Sequence, residues 1–115
     1  MYAESLAKTL KLMPNASKED GIKALIKRRR LQIWVHSMIY YNLNANLVSD
    51  YTWSQWGEEL ECLQKMFPKL SKETPYYKEF KDFDHSTGQN LPKDNEVINS
   101  KAEYLLKIAY NKYRR

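Results

Sequence analysis

Apolar side chains recur at steps of three and four residues along most of the chain, which is the spacing of one face of an α-helix. The clearest stripe consists of Trp53, Trp56, Leu60, Leu63 and Phe67. Few Gly, few Pro and few runs of β-branched residues also favour helix over sheet. The sequence therefore predicts an all-α protein, a single small bundle of four to five helices that occupies residues 1–115 as one domain.

Turn and capping residues divide this pattern into helices. The predicted helices cover residues 1–13, 18 to about 44, 50 to about 67, 75–80 and 94 to about 113. Pro14 and Pro68 end the first and third of them, and Ser17 with Asp20 resembles a capping box at the start of the second. The buried face predicted for the last helix consists of Ile98, Ala102, Leu105, Ile108 and Ala109.

Composition argues against an enzyme and against a membrane protein. The single cysteine, Cys62, excludes an internal disulfide and a multi-cysteine zinc site. The chain has two histidines, no Gly-rich phosphate loop and no Ser/His/Asp set. No apolar stretch approaches the ~20 residues of a membrane span. We therefore expect a non-catalytic protein without a cofactor of its own, located in a reducing cytoplasm; the family resemblance described below implies that this is the cytoplasm of a bacterial host cell.

Two isolated motifs carry weak chemical signals. Residues 18–21 read Lys-Glu-Asp-Gly, which matches the K-x-D-G of adenylated lysines, but no further nucleotide-binding motif follows and a helix-capping role is expected. Asp82, Asp84 and His85 could touch a metal ion, although hydrogen bonds that cap the loop are the simpler reading. His36 lies within an apolar helical segment and is expected to be a packed, hydrogen-bonded ring.

Charge is distributed unevenly along the chain. The net charge is +5 overall, with residues 1–30 contributing +5, residues 31–100 contributing −4 and residues 101–115 contributing +4. Basic residues gathered on one face would form a nucleic-acid or partner surface, whereas dispersed ones are solvated helix ends. The candidates for such a contact are Lys27, Arg28, Arg29, Arg30, Arg114 and Arg115.

Tyrosines cluster at the break between the two main helices. Tyr40, Tyr41 and Tyr51 lie around this break, and Asp50 stands beside them. Aromatic faces together with a carboxylate suit a cationic or planar heteroaromatic ligand. The same residues also suit an ordinary packed corner between two helices, and the pattern alone leaves both readings open.

The segment around this corner resembles the N-terminal subdomain of bacterial NAD-dependent DNA ligases. The similar residues form Arg30-Leu-Gln-Ile-Trp-Val-His-Ser-Met-Ile-Tyr40-Tyr41-Asn-Leu-Asn44, then Leu47-Val-Ser-Asp50, then Trp53, and finally Glu59-Leu-Glu-Cys-Leu-Gln-Lys-Met-Phe-Pro68-Lys-Leu70. In the family, a Tyr-Tyr or Tyr-His pair ends one helix, and a short turn through Ser-Asp or Pro-Asp leads to the next. The resemblance covers residues 30–70, about forty residues in the same order without gaps, and implies a helix–turn–helix core.

The resemblance implies ligand contacts with the nicotinamide mononucleotide (NMN) half of NAD. Tyr40, Tyr41 and Asp50 match family positions that contact this ligand, and Trp53 stands where the family has a tyrosine. Ser54 replaces a second aspartate of the family, so one carboxylate partner of the ligand is missing. NMN or NAD is therefore a candidate ligand, in a pocket whose chemistry has changed.

Two segments after Leu70 resemble small ligase-related proteins of phages and prophages of Gram-positive bacteria. The similarity lies in the Asp-Phe-Asp-x-Ser-Thr-Gly segment of residues 82–88 and in the Lys-Ala-x-Tyr-Leu-Leu of residues 101–106. Such proteins often act by binding a host component. We therefore expect a phage accessory or counter-defence factor, such as a host-defence inhibitor of the anti-CRISPR kind, that binds a host protein or protein–nucleic-acid complex. NMN or NAD binding and direct nucleic-acid binding are the alternatives.

Overall fold

The computed structural model describes residues 2–86 and 88–113, without the side chain of Tyr113. Within this part of the chain it contains helices and no strand, so the all-α prediction is confirmed. Six helices are present rather than four or five. They are α1 (Ala3–Leu12), α2 (Lys18–Leu43), α3 (Asp50–Met66), α4 (Pro68–Glu73), α5 (Tyr77–Phe80) and α6 (Glu96–Tyr113).

Helix α2 is the centre of the bundle, since α1, α3, α4 and α6 all pack against it. Its C-terminal half is apolar on several sides and contributes Ile33, Trp34, Met38 and Ile39 to the core. Burial of each such side chain stabilises the fold by roughly 1.5–3 kcal/mol relative to exposure. The indole Nε1 of Trp34 keeps a hydrogen bond inside the core by donating to the Pro92 carbonyl oxygen at 2.9 Å.

Caps fix the two helices that form the predicted corner. The Ser17 hydroxyl accepts from the backbone N–H of Asp20, and the Ser49 hydroxyl accepts from that of Thr52, each at 3.1 Å. At the end of α2, Asn44 adopts a left-handed conformation with φ of 53°, which asparagine tolerates better than most residues. The chain therefore turns sharply after α2 and enters α3 within six residues.

Pro68 has a second role that the sequence prediction missed. It ends α3, as predicted, and also occupies the first position of α4, where its missing N–H has no helical partner to lose. The following helix begins at Tyr77 rather than residue 75, because Tyr76 takes a left-handed conformation with φ of 73°. Helix α6 begins at Glu96, after Asn95 caps it by accepting from the N–H of Ile98.

The predicted buried face of α6 is only partly right. Ile98 and Ala102 are buried, whereas Leu105 is 37% exposed and Ile108 is 44% exposed. Helix α6 packs mainly on α2, through a face that includes Ile98 and Ala102 but leaves Leu105 and Ile108 partly exposed. No helix in the described residues is long and apolar enough to cross a membrane.

Arginine at position 30 belongs to the core, which corrects its assignment as a nucleic-acid or partner contact. The side chain is fully buried between α2 and the α4 region. Its guanidinium donates to the Gln64 side chain, to the hydroxyl and carbonyl of Ser71, and to the carbonyls of Thr74 and Pro75. Burial lowers the pKa of Arg30 to about 10, so the group remains charged at neutral pH.

Candidate functional site

An open pocket of about 380 Å³ lies at the junction of α2 and α3. Its wall is formed by the last turns of α2, the connection to α3, the first turn of α3, and Ser86 and Gly88. The lining residues are His36, Ser37, Tyr40, Tyr41, Asn46, Leu47, Val48, Asp50, Trp53, Ser54, Ser86 and Gly88. The structure therefore brings together all four residues that the sequence marked as ligand contacts, and we call this cavity the corner pocket.

The α3 cap sets the position of two of these side chains. Ser49 caps the helix, so Asp50 is its first residue and Trp53 follows one turn later on the pocket side. The Trp53 indole Nε1 donates to the Ser37 hydroxyl at 3.3 Å, and that hydroxyl donates to the Ile33 carbonyl at 2.6 Å. These bonds fix the tryptophan against the pocket wall, where it leaves the cavity open.

Two tyrosines form the outer aromatic wall. Tyr40 is 53% exposed, and its ring packs edge-on against Tyr41 with the ring centroids 4.9 Å apart. The ammonium of Lys93 lies 5.2 Å from the centroid of the Tyr41 ring, at cation–π distance. Tyr51, which the sequence placed in the same cluster, is 74% exposed and is not part of the lining.

His36 also lines the corner pocket, although the sequence suggested a purely structural ring. Its imidazole packs against the Trp56 indole, with the centroids 5.3 Å apart. Burial lowers the pKa of His36, and its Nδ1 is buried without a hydrogen-bond partner in the described residues. The ring is therefore neutral at pH 7. His36 lies one turn before Tyr40 on α2, and this spacing could have identified it from the sequence as a residue that lines the pocket.

The described loop residues after α5, 82–86 and 88, contribute Ser86 and Gly88 to the lining of the corner pocket. A Cβ atom on Gly88 would collide with the Ser37 hydroxyl and would lie 3.2 Å from the Trp53 ring, so this close approach requires glycine. The loop is tied to α3 through His85, whose backbone N–H donates to Glu61 and whose Nδ1 lies 3.0 Å from the same carboxylate. Glu58 adds a second carboxylate, 3.8 Å from Nε2 of His85.

This attachment raises the pKa of His85, chiefly through the hydrogen bond to Glu61. The ligand atoms of Glu61, Asp84 and His85 lie within 4.8 Å of one another, close enough to surround a metal ion. Asp82, the third member of the set suggested by the sequence, is not part of this group. Asp84 accepts from the backbone N–H of Ser86 at 2.7 Å, the loop-capping role that the sequence favoured.

The basic segment of residues 27–30 divides into two buried and two exposed side chains. Arg30 is in the core, and Arg29 forms an ion pair with Glu59 at 3.0 Å in which both side chains are largely buried. Lys27 and Arg28 are exposed. Helical spacing explains this division, because consecutive residues point in different directions around α2. Arg114 and Arg115 lie outside the described residues, so their predicted contact role stays a prediction.

The corner pocket brings together groups that suit ligand recognition. It combines aromatic faces, one carboxylate and one neutral imidazole. The Ser37 hydroxyl donates to a backbone carbonyl and accepts from Trp53, so it is not paired with a base that could activate it. These groups can stack on a planar ring and stabilise a positive charge.

Comparisons of the chain with known protein families, with curated proteins and with solved structures found no match. The resemblance to the ligase subdomain therefore stays a prediction from residues 30–70.

Proposed function

We propose that this protein is a non-catalytic binding domain whose corner pocket holds a planar, positively charged nitrogen heterocycle. The observation that carries the proposal is the convergence of Tyr40, Tyr41, Asp50 and Trp53 on one open cavity. Residues 13 positions apart in sequence meet there because the left-handed Asn44 and the Ser49 cap fold α3 back beside α2. The resemblance to the ligase subdomain suggests NMN or NAD as this ligand.

The size and composition of the pocket support a ligand of this class. A volume of about 380 Å³ falls in the range of small-molecule sites. A planar cation can stack on Trp53 or the tyrosines while the Asp50 carboxylate balances its charge. Trp53 retains a stacking face where the ligases have a tyrosine, whereas Ser54 lacks the second carboxylate of the family. We expect binding weaker than that of a ligase, because one charged partner is missing.

Calorimetric titration with NMN and with NAD tests the proposal. Wild-type protein is expected to bind at least one of them at micromolar to millimolar concentration, and Asp50→Ala is expected to abolish the signal. Asp94→Ala is the matched control, because Asp94 is exposed and does not line the pocket. Absence of binding to both ligands at millimolar concentration would contradict the proposal.

A second function is supported by a separate surface, namely capture of a macromolecule by α6. Tyr104, Leu105 and Ile108 are exposed on neighbouring turns of this helix, and helical spacing gathers them into one apolar stripe. Val97 is exposed on the same side two turns earlier, beyond Lys101. The stripe fits the expected role of a phage accessory or counter-defence factor that binds a host protein or protein–nucleic-acid complex. Such a role would leave the corner pocket as an inherited scaffold.

Affinity purification from the Gram-positive host with matched variants tests this second function. Ile108→Glu places a charge in the stripe, and Lys107→Glu changes an exposed neighbour on another side of the helix. A stoichiometric partner that is retained by wild type and by Lys107→Glu, but lost by Ile108→Glu, would support binding through the stripe. Recovery of the same partner with all three proteins would exclude the stripe as its binding site.

Direct nucleic-acid binding has less support than either of these functions. Of the four basic residues at 27–30, only Lys27 and Arg28 remain exposed. Binding through these two cations alone would respond weakly to salt, since each neutralised phosphate contributes a slope of about −0.9 to the dependence of log K on log salt. A steep salt dependence of nucleic-acid affinity would support this alternative, because it would mean that many phosphates are neutralised on binding.

A further inference from the structure

One imidazole and three carboxylates form a cluster where the loop after α5 packs against α3, away from the lining of the corner pocket. Its members are Glu58 and Glu61 on α3, and Asp84 and His85 in the loop. The ligand atoms of Glu61, Asp84 and His85 lie within 4.8 Å of one another. Two atoms bound to one tetrahedral ion by bonds of about 2.0–2.2 Å are roughly 3.3–3.6 Å apart, so small side-chain rotations would bring these three atoms around a metal ion.

The backbone already holds these groups beside one another. Glu58 and Glu61 are three residues apart on α3 and therefore occupy neighbouring positions on one face of the helix. Gly57 precedes them, and a Cβ atom there would lie 2.7 Å from the Cβ of His85, so glycine lets the loop lie directly on the helix. The backbone N–H of His85 donates to Glu61. One oxygen of Asp84 accepts a backbone N–H of its own loop at 2.7 Å, which leaves the other oxygen for an ion.

The His85 ring contains a buried nitrogen that the described residues satisfy poorly. Its Nδ1 has no well-aligned hydrogen-bond partner among them. Oε1 of Glu61 lies 3.0 Å from Nδ1, out of line for a strong hydrogen bond, and already accepts from the His85 backbone. Buried polar atoms are normally paired with protein, water or an ion, so this nitrogen indicates that a further partner belongs there.

We propose that Glu61, Asp84 and His85 bind a divalent transition-metal ion, with Zn²⁺ as the representative case. The ligands are Nδ1 of His85 and one carboxylate oxygen each from Glu61 and Asp84, and water completes the coordination. Glu58 lies 3.8 Å from Nε2, where a small movement lets its carboxylate accept from the other side of the ring, as carboxylates commonly do for a metal-bound histidine. The bound ion fastens the loop to α3.

The chemistry of the ligand set selects the class of ion. Imidazole suits zinc, copper, iron and nickel, whereas Ca²⁺ and Mg²⁺ prefer oxygen ligands throughout. The carboxylates favour a cation, although Lys65 also acts electrostatically on Asp84 and offsets part of their charge. Asp84 is exposed, and three protein ligands leave a position to water. We therefore expect a Kd in the micromolar range, weaker than that of a closed four-ligand zinc site.

Calorimetric titration of the metal-free full chain with ZnCl₂ tests the proposal, with MgCl₂ and CaCl₂ as comparison ions. Wild type is expected to bind one Zn²⁺ per chain, at least about tenfold more tightly than Mg²⁺ or Ca²⁺. His85→Gln and Glu61→Gln each remove a ligand and are expected to weaken Zn²⁺ binding at least about tenfold. Asp82→Asn is the matched control, because Asp82 is exposed in the same loop but is not part of the cluster. Cys62→Ser, which removes the free thiol next to Glu61, is also expected to bind like wild type.

Two measurements on wild type keep the test decisive even where a variant does not fold. Zn²⁺ is expected to shift the NMR signals of the His85 ring and to leave those of the His36 ring in place, because His36 lies in the corner pocket. Zn²⁺ at about 100 times its Kd is expected to raise the thermal unfolding midpoint by about 5 °C or more.

Several results would overturn the metal site without bearing on the ligand of the corner pocket. These are no saturable Zn²⁺ binding up to millimolar concentration, binding that His85→Gln and Glu61→Gln leave unchanged, and tighter binding of Mg²⁺ or Ca²⁺ than of Zn²⁺. Loss of binding in Cys62→Ser, or a Zn²⁺-dependent shift of the His36 ring alone, would place the ion elsewhere and would contradict the proposal equally.

Discussion

At the scale of single residues, Arg30 shows how a charged side chain can serve the core. Arg30 belongs to a basic run, but it lies one turn after Ile26 and one turn before Trp34 on the buried face of α2, whereas Arg28 lies on an exposed face. Tertiary structure makes this burial possible, because the carbonyls of Thr74 and Pro75, together with the Ser71 carbonyl that also accepts from the Thr74 N–H, converge on the guanidinium at the end of α4. A buried cation satisfies several acceptors at once that would otherwise be unpaired.

We predict that Arg30→Ala lowers the free energy of unfolding by about 3 kcal/mol or more, because it removes packing and leaves buried acceptors unpaired. Arg28→Ala is the matched control, and its exposed side chain should change stability by no more than about 0.5 kcal/mol. Urea unfolding of both variants measures the difference. Equal effects would contradict the structural role assigned to Arg30.

Gly88 is a second single residue with a structural role, because its lack of a side chain allows the backbone to lie close to Ser37 and Trp53 in the pocket wall. We predict that Gly88→Ala costs about 1–3 kcal/mol of stability, because the added methyl group must displace the Ser37 hydroxyl or the Trp53 ring. The same displacement should weaken ligand binding in the corner pocket. Chemical unfolding and calorimetry on one preparation test both effects. A variant with wild-type stability and affinity would contradict the prediction, because it would mean that the backbone at residue 88 moves to accommodate the methyl group without cost.

At the scale of helices, the sequence predicted long elements well and short ones poorly. Helices α2 and α3 carry strong apolar periodicity and side-chain caps at Ser17 and Ser49, so their existence and starts were predicted closely. Helix α4 has six residues, too few for an apolar periodicity to be recognised. Pro68 was interpreted only as the end of α3, although it is also the first residue of α4. Among the pocket residues, Tyr40, Tyr41, Asp50 and Trp53 were identified by resemblance, whereas the Gly88 contact depends on long-range folding that no local pattern encodes.

Ser49 connects helix capping with the corner pocket. We predict that Ser49→Ala lowers the free energy of unfolding by about 1 kcal/mol, the usual cost of losing an N-cap. The variant should also bind the pocket ligand more weakly, because fraying of the first turn of α3 displaces Asp50. Ser17→Ala loses the equivalent cap of α2, away from the pocket, and should cost similar stability without loss of affinity. Equal losses of affinity would contradict this link.

Helix α6 provides a test of burial on one element. The predicted apolar face included both Ile98 and Ile108, but only Ile98 is buried. We predict that Ile98→Ala lowers the free energy of unfolding by about 2–4 kcal/mol, through lost burial and a residual cavity. Ile108→Ala should cost well under about 1 kcal/mol, because its side chain is already partly hydrated. Thermal or urea unfolding compares them, and a large cost at Ile108 would mean that this face is covered.

At the scale of the whole molecule, the two histidines make stability depend on pH in opposite directions. The pKa of His85 is raised, so its stabilising contribution is complete below its ordinary pKa of 6.5 and is lost as pH rises through the folded value. The pKa of His36 is lowered, so its contribution is complete above 6.5 and is lost as pH falls. Together the two contributions are greatest near pH 6.5.

We predict that His85→Gln removes a pH-dependent loss of stability on the alkaline side, and that His36→Gln removes one on the acidic side. Unfolding free energies at a series of pH values from 5 to 9 measure both effects. The His85 contribution should also shrink with added salt, because its contacts with Glu58 and Glu61 are partly exposed. An alkaline limb that is unchanged in His85→Gln would contradict the assignment.

The central claim is that the corner pocket binds a planar cationic ring. The most direct measurement is a two-dimensional ¹H–¹⁵N NMR titration of the wild-type protein with NMN, followed at the tryptophan indole N–H signals. The indole of Trp53 donates to Ser37 in the pocket wall, whereas that of Trp34 donates to Pro92 in the core. Binding in the pocket predicts a saturable shift of the Trp53 signal with little change at Trp34. No shift at Trp53 up to millimolar NMN, or equal shifts at both indoles, would contradict the claim.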